Sequence, residues 1–184
     1  MEAFLICAAV VAVNEIGDKT QLLAIVLAVR FRRPWPILLA ILAATLVNHT
    51  AAGFVGLWLR QTLRPDLLRV VLGVSFLLAA AWALKPDRLD DRSRTLGGSG
   101  VFAVTLVSFF IAEIGDKTQV ATAMLAARYP SLLAVVAGTT TGMLLADVPA
   151  VFLGHLVSER IPLRAVRIVA ALVFAALGAA TLIG

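Results

Sequence analysis

The chain has 184 residues, of which 61% are hydrophobic and 15% are charged, and its formal net charge is +5. This apolar fraction lies well above the roughly 45–50% of soluble domains, and a chain this short cannot hide so many apolar residues inside a soluble fold. We therefore expect an integral membrane protein. Its basic residues fall in short clusters between apolar runs, which favours a positive-inside membrane topology over nucleic-acid binding.

Six apolar segments approach the ~20 residues that a helix needs to span the hydrocarbon core of a bilayer. Arginine clusters and prolines separate these segments, and proline ends helices. The predicted spans, in chain order, cover residues 3–29, 36–59, 66–84, 101–127, 131–157 and 164–183. The stretch 85–100 is charged and rich in Gly and Ser, so it is predicted to be a linker between two units, residues 1–84 and 101–184.

One seven-residue motif occurs twice within otherwise apolar sequence. Glu-Ile-Gly-Asp-Lys-Thr-Gln occupies residues 15–21 and again residues 113–119, each time near the middle of a predicted span. A shift of 98 positions aligns the two halves without a gap, so the chain is an internal duplication of a three-helix unit. Because three is odd, the second unit enters the membrane from the opposite side. The sequence therefore predicts an all-α membrane protein with six transmembrane helices in two inverted three-helix repeats.

The distribution of basic residues predicts the orientation of these spans. The loops after the first, third and fifth predicted spans contain ten Lys and Arg residues, and the opposite side contains four. Cytoplasmic loops carry the excess of Lys and Arg. We therefore expect a cytoplasmic linker and both termini outside.

Each motif supplies oxygen-bearing side chains at helical spacing. Its Glu, Asp and Gln are three residues apart, so they would share one stripe of a continuous helix. Under inverted symmetry the two stripes are expected to face each other at mid-membrane, where ionisable side chains are costly and usually functional. Carboxylates and amides suit a hard divalent cation such as Ca²⁺ or Mn²⁺ better than Zn²⁺ or copper. The predicted metal-binding residues are Glu15, Asp18, Gln21, Glu113, Asp116 and Gln119.

The charges of the two motifs need balancing. Four crowded acids cannot all be ionised in a low dielectric without compensating charge. Without a cation they are therefore expected to hold protons or to be neutralised by Lys19 and Lys117. Cation entry then expels protons, which is the coupling that an antiporter needs. A structural alternative pairs Glu15 with Lys19, and Glu113 with Lys117, along one helix. That alternative leaves the aspartate of each motif buried without a partner, which is costly.

The remaining motif residues have predicted supporting roles. Gly17 and Gly115 leave room for close backbone approach and are expected to allow local opening of the helix, so that backbone carbonyls join the ligands. Thr20 and Thr118 are predicted to donate hydrogen bonds to ligand oxygens. A bond to a carbonyl of their own helix is an equal alternative.

Three polar residues lie midway along the second and fifth predicted spans. They are Asn48, His49 and Asp147. Asp147 has a proline two residues later, which suggests a broken helix, and it is predicted to approach the cation or relay protons. His49 is a candidate proton carrier, with a hydrogen-bonded packing role as the alternative.

The duplicated E-x-G-D-K-T motif, one copy in the first span of each half, resembles the calcium/manganese:proton antiporter family of bacterial manganese exporters and a Golgi manganese and calcium transporter of eukaryotes. The resemblance covers essentially the whole chain. It implies export of Mn²⁺ or Ca²⁺ from the cytosol in exchange for protons, with the cation bound by Glu15, Asp18, Glu113 and Asp116. Compared with longer members, we expect no N-terminal targeting extension, and the predicted linker is short. These departures favour the plasma (inner) membrane of a prokaryote.

The sequence thus predicts a multi-pass secondary antiporter whose two halves rock to alternate access. Its partners are the divalent cation, protons and the lipid bilayer, with no cofactor, no nucleic acid and no enzyme activity. One alternative is a passive divalent-cation channel that uses the acids as a selectivity ring and has an open, wetted pore. Another is an exporter of small basic solutes, which requires aromatic or apolar pocket residues beside the acids.

Overall fold

A computed structural model of the chain describes residues 1–85, 100–157 and 163–183. Most of the predicted linker, residues 86–99, lies outside these ranges. Within them the chain forms eight α-helices joined by short connections. The helices are α1 (Glu2–Glu15), α2 (Lys19–Phe31), α3 (Pro34–Thr62), α4 (Pro65–Ala83), α5 (Val101–Glu113), α6 (Lys117–Arg128), α7 (Leu132–Val157) and α8 (Leu163–Ile183).

Four predicted spans correspond to single helices, α3, α4, α7 and α8, with boundaries that differ by at most three residues. Pro34 and Pro65 open α3 and α4 at a position where the missing N–H costs nothing. The break suggested by Pro149 is wrong, because α7 continues through this proline. Membrane helices tolerate proline where neighbouring helices and local adjustments satisfy the freed backbone group.

The first and fourth predicted spans each consist of two helices. The break between α1 and α2 contains Gly17 at φ 78°, and the break between α5 and α6 contains Gly115 at φ 70°. These values lie in the left-handed region, which glycine adopts readily and a helix cannot contain. The predicted single stripe of Glu, Asp and Gln is therefore wrong. Glu15 ends one helix, whereas Asp18 caps the start of the next.

The long helix of each half packs against the broken pair of the other half. Helix α7 lies along α1 and α2, α3 lies along α5 and α6, and α4 pairs with α8. The rings of Phe76 and Phe174 stack between α4 and α8 at a centroid distance of 6.5 Å. A Cβ atom added at Gly138 would lie 2.5 Å from the carbonyl oxygen of Phe4. The backbones of α1 and α7 therefore approach closely, as small residues permit in membrane helices.

The outer surface of the described structure is apolar. By length and composition, three helices in these ranges are suited to cross a membrane: Pro34–Thr62, Pro65–Ala83 and Leu132–Leu153. Shorter apolar helices cover Val101–Glu113 and Arg167–Ile183. Many large apolar side chains face outward, whereas the acids of both motifs and several threonines and amides are buried. This distribution is consistent with a membrane protein.

Candidate functional site

Each motif folds into the same short interruption, which its own glutamine caps. The backbone N–H of Gly17 donates to Gln21 Oε1 at 2.7 Å, and that of Gly115 donates to Gln119 Oε1 at 2.8 Å. These bonds satisfy donors that the break removes from the helix, which are costly to leave unpaired in an apolar surrounding. Gln21 Nε2 also donates to the Ala146 carbonyl of α7 at 3.1 Å. The amide oxygens expected to bind a cation thus accept backbone hydrogen bonds in this arrangement.

The aspartate of each motif is the N-cap of the helix that follows the interruption. Asp18 and Asp116 are 1% and 2% exposed, respectively. The Thr118 backbone N–H donates to Asp116 Oδ2 at 3.1 Å, as expected of an N-cap, and the Thr20 hydroxyl donates to Asp18 Oδ2 at 3.4 Å. In both aspartates Oδ2 faces its own motif, which leaves Oδ1 for contacts beyond it.

The lysine of each motif pairs with the aspartate of the other motif. Lys117 Nζ lies 3.0 Å from Asp18 Oδ1, and Lys19 Nζ lies 3.0 Å from Asp116 Oδ1. The two motifs therefore meet inside the protein, although 98 residues separate them in sequence. The alternative of an ion pair along one helix is wrong, because the interruption places Glu15 and Lys19 on different helices. The second motif is interrupted in the same way.

The two ion pairs differ in accessibility. The Lys117 side chain is 3% exposed, whereas that of Lys19 is 26% exposed. A cavity of about 10 Å³ adjoins the buried pair, and Asn14 and Arg167 are among the residues that line it. This volume is close to the minimum that holds one water molecule. One pair is thus enclosed in the protein, and the other reaches its surface.

The two motif glutamates end α1 and α5 and are fully buried, Glu15 at 0% and Glu113 at 1% exposure. The Thr118 hydroxyl donates to Glu15 Oε2 at 3.1 Å and accepts from Asn14 Nδ2 at 3.0 Å. The Thr45 hydroxyl donates to Glu113 Oε1 at 2.8 Å. The other oxygen of each glutamate has no hydrogen-bond partner in the described part of the chain.

Sequence reasoning did not identify Asn14 and Thr45. Asn14 directly precedes the first motif, and Thr45 lies one helical turn before His49 in an apolar span. Each is a polar residue in a predicted membrane helix, which is the signal that could have found it.

Helices α3 and α7 each carry a further buried ionisable group. His49 and Asp147 occupy equivalent positions in the two halves, and both are 0% exposed. Among the described residues, neither His49 ring nitrogen and neither Asp147 oxygen has a hydrogen-bond partner. Asp147 lies close enough to Asp18 and Glu113 for electrostatic interaction. The hydrogen-bonded packing role considered for His49 is therefore absent within the described ranges. The neighbouring Asn48 donates to a backbone carbonyl of α5 at 3.3 Å.

The interior therefore collects more acid than base. Five buried carboxyl groups accompany the two motif lysines, namely Glu15, Asp18, Glu113, Asp116 and Asp147. Within the described ranges, no group of three Asp, Glu, His or Cys side chains lies close enough together to bind a metal ion. Buried ionisable groups inside apolar helices are typical of proteins that move ions or protons across a membrane. The fold and the buried cluster thus define a membrane transport protein.

Comparison with known proteins identifies the family. Residues 3–91 and 101–184 match the family described as Divalent cation/proton antiporter GDT1, so the chain belongs to this family. It is 47% identical over 182 residues to a Vibrio cholerae O1 protein named "Putative manganese exporter", and the match covers 98% of this chain and 90% of that protein. It is 28% identical over 184 residues to a GDT1-like protein of Synechocystis, and this match covers 89% of this chain and 88% of the relative. No solved structure matches the chain. The predicted family is confirmed, and it is a family of transporters.

Proposed function

We propose that the protein is a secondary antiporter that exports Mn²⁺ or Ca²⁺ from the cytosol in exchange for protons. Family membership supports divalent cations and protons as the substrates, and the relative named as an exporter of manganese supports Mn²⁺. The observation that carries the proposal is a set of four buried carboxylate oxygens without hydrogen-bond partners in the described ranges. They are Glu15 Oε1, Glu113 Oε2, Asp147 Oδ1 and Asp147 Oδ2.

Such oxygens bind either a cation or protons. An ionised carboxylate that is buried without a partner is strongly unfavourable, so the group takes up a proton or a metal ion. Because a metal ligand must be deprotonated, the cation and the protons compete for the same oxygens. This competition links export of one to import of the other.

The proposed topology has six membrane crossings in two inverted repeats, residues 1–84 and 101–184. Helices α1 and α2 have 14 and 13 residues, or about 21 and 20 Å at 1.5 Å per residue. Neither alone spans a hydrocarbon core of about 30 Å, but the two together do. The reciprocal packing of each long helix on the other half's broken pair supports the inverted relation. The basic residues favour a cytoplasmic linker and external termini, in the inner membrane of a prokaryote.

In the proposed cation site the acids of both motifs supply the ligands, with Asp147 beside them. Thr20 and Thr118 orient the carboxylates, and His49 with Asn48 lies where protons pass. Gln21 and Gln119 reach a cation only with an oxygen that already caps its own interruption. Their main contribution is therefore to stabilise the two helix interruptions.

The alternative of a passive channel requires an open, wetted path through the centre. The pair of Asp18 and Lys117 is buried, and the cavity described beside it is water-sized, which favours a carrier over a channel. The same small cavity gives a basic organic solute no room at this pair.

The test is Mn²⁺ uptake by proteoliposomes of the purified protein, with and without an acidic lumen. We expect the proton gradient to drive uptake and a protonophore to abolish it. Asp147→Asn should lose this uptake, whereas Asp66→Asn, which alters an exposed acid of α4, should keep it.

Equal uptake with and without the gradient would contradict proton coupling. A flux far above carrier turnover rates would favour a channel. Competition by Ca²⁺ at two pH values compares the two cations.

A further inference from the structure

Lys19 and Lys117 lie against the carboxylates that the proposed antiporter needs for its cation. We infer that the two lysines are tethered competitors: each holds the other motif's aspartate until a divalent cation displaces it, and this competition selects divalent over monovalent cations. The inference rests on the proposed function. It assigns charge selectivity to residues that do not themselves bind the metal.

The geometry makes the two ion pairs a single unit. In each motif the aspartate directly precedes the lysine, so the pairs of Asp18 with Lys117 and of Asp116 with Lys19 cross between α2 and α6. Each pair uses an Oδ1 atom, while both Oδ2 atoms face threonines of their own motifs. Among the described residues no three acids converge on one point. A cation that takes both aspartates as ligands must therefore displace the ammonium groups first.

The charge of the incoming ion decides whether displacement is favourable. A monovalent ion that takes both aspartates replaces two ammonium charges with one, so the displacement costs electrostatic energy. It also competes with tethered groups whose effective concentration does not depend on the bulk solution. A divalent ion replaces the two ammonium charges with an equal charge and interacts with both aspartates. The lysines therefore disfavour Na⁺ and K⁺ much more than they disfavour Mn²⁺ or Ca²⁺.

The difference in accessibility predicts the order of displacement. Lys19 is 26% exposed, so its side chain is less confined than that of Lys117. Lys117 is 3% exposed, and a cavity of about 10 Å³ beside it is also lined by Arg167. We therefore expect Lys19 to leave first and Lys117 to follow. A purely structural role does not explain this arrangement well, because buried ion pairs contribute little net stability.

The test compares Lys117→Gln with wild type, with Lys117→Arg, which keeps the charge, and with Lys85→Gln, which alters an exposed lysine after α4. Mn²⁺ uptake by proteoliposomes is measured over a series of K⁺ concentrations, equal on both sides and replaced by choline at constant ionic strength. Wild type, Lys117→Arg and Lys85→Gln should be nearly insensitive to K⁺. In Lys117→Gln, K⁺ should inhibit uptake, and without K⁺ the half-saturating Mn²⁺ concentration should fall about tenfold, within the 5- to 150-fold range of typical linkage effects.

The outcomes separate this inference from the proposed function. If wild type transports neither Mn²⁺ nor Ca²⁺, the proposed function fails. If wild type transports but Lys117→Gln keeps wild-type K⁺ sensitivity and half-saturation, the lysines are not competitors. Lower activity with unchanged K⁺ dependence indicates a structural role and also overturns the inference. If Lys117→Gln does not yield monodisperse protein, Lys19→Gln provides the same test at the more accessible lysine.

Discussion

Asp18→Asn and Asp116→Asn are the same chemical change at equivalent positions, yet the structure predicts different losses of stability. Asp18→Asn leaves a charged lysine at 3% exposure, whereas Asp116→Asn leaves one at 26% exposure. Removing one partner of a buried ion pair costs about 3–5 kcal/mol, and the cost is smaller where the stranded charge is partly accessible. We therefore expect Asp18→Asn to lower the free energy of unfolding by about 3 kcal/mol and Asp116→Asn by about 1 kcal/mol.

The assay is reversible unfolding in mixed detergent micelles, followed by the fluorescence of the three tryptophans. The matched control is Asp66→Asn on the exposed side of α4, which should change stability by less than about 0.5 kcal/mol. The double variant Asp18→Asn with Lys117→Met removes both charges of the enclosed pair. It should recover most of the loss, because replacing both partners of a buried pair is often close to neutral.

Equal losses in the two single variants, or a larger loss in Asp116→Asn, would refute the reasoning from burial. Failure of the double variant to recover would show that the loss does not come from the stranded Lys117 charge. Transport adds an independent readout, since both single variants should lose Mn²⁺ uptake whatever their stability. Wild-type export in either one would remove that aspartate from the proposed site.

Three further changes test the surroundings of the site. Asp147→Asn should keep or slightly raise the unfolding free energy, since the described structure gives its oxygens no hydrogen bond to lose; marked destabilisation would contradict this. Gly138→Leu should lower that free energy by about 1–3 kcal/mol through overpacking against Phe4, and an unchanged melting temperature would show that α1 and α7 can separate at no cost. Thr45→Val should raise the half-saturating Mn²⁺ concentration several-fold, by removing a donor to Glu113 worth about 1 kcal/mol. Unchanged half-saturation would place Glu113 outside the proposed site.

The uninterrupted helices could be predicted because their signals are local. An apolar run of membrane-spanning length, with proline at its start and a basic residue at or just after its end, defines α3 and α4 without reference to any other part of the chain. The duplication of the heptad was equally direct, and it led to the family.

The interruptions show where local signals fail. A proline within a helix removes one hydrogen bond, which neighbouring helices can compensate, so Pro149 leaves α7 continuous. A glycine at positive φ cannot remain in a helix, so Gly17 ends α1. The sequence contains both residues, but the hydrogen bond from the Gly17 N–H to Gln21 is what stabilises the break at Gly17. This bond belongs to the folded interruption and has no counterpart in helical spacing.

The crosswise ion pairs could not be predicted from the sequence either. The spacing of Glu15 and Lys19 favours a pair along one helix, and nothing local indicates that the lysine contacts the other half of the chain. The pairing depends on how α2 meets α6, which is a tertiary property. The sequence could predict that the buried acids need compensating charge. It could not predict which lysine forms an ion pair with which aspartate.

The crosswise pairing gives a physical reason why the two heptads are identical while their surroundings differ. A segment in which Asp directly precedes Lys forms two crosswise ion pairs when it meets a second copy of itself, and each residue then contacts its counterpart's partner, as in an isologous interface. A change at either position in one copy strands an opposite charge in the other copy, so the motifs constrain each other. Helices α3 and α7 carry no such constraint, and His49 stands where the other half has Asp147. Functional differences between the two halves are therefore expected in these helices rather than in the motifs.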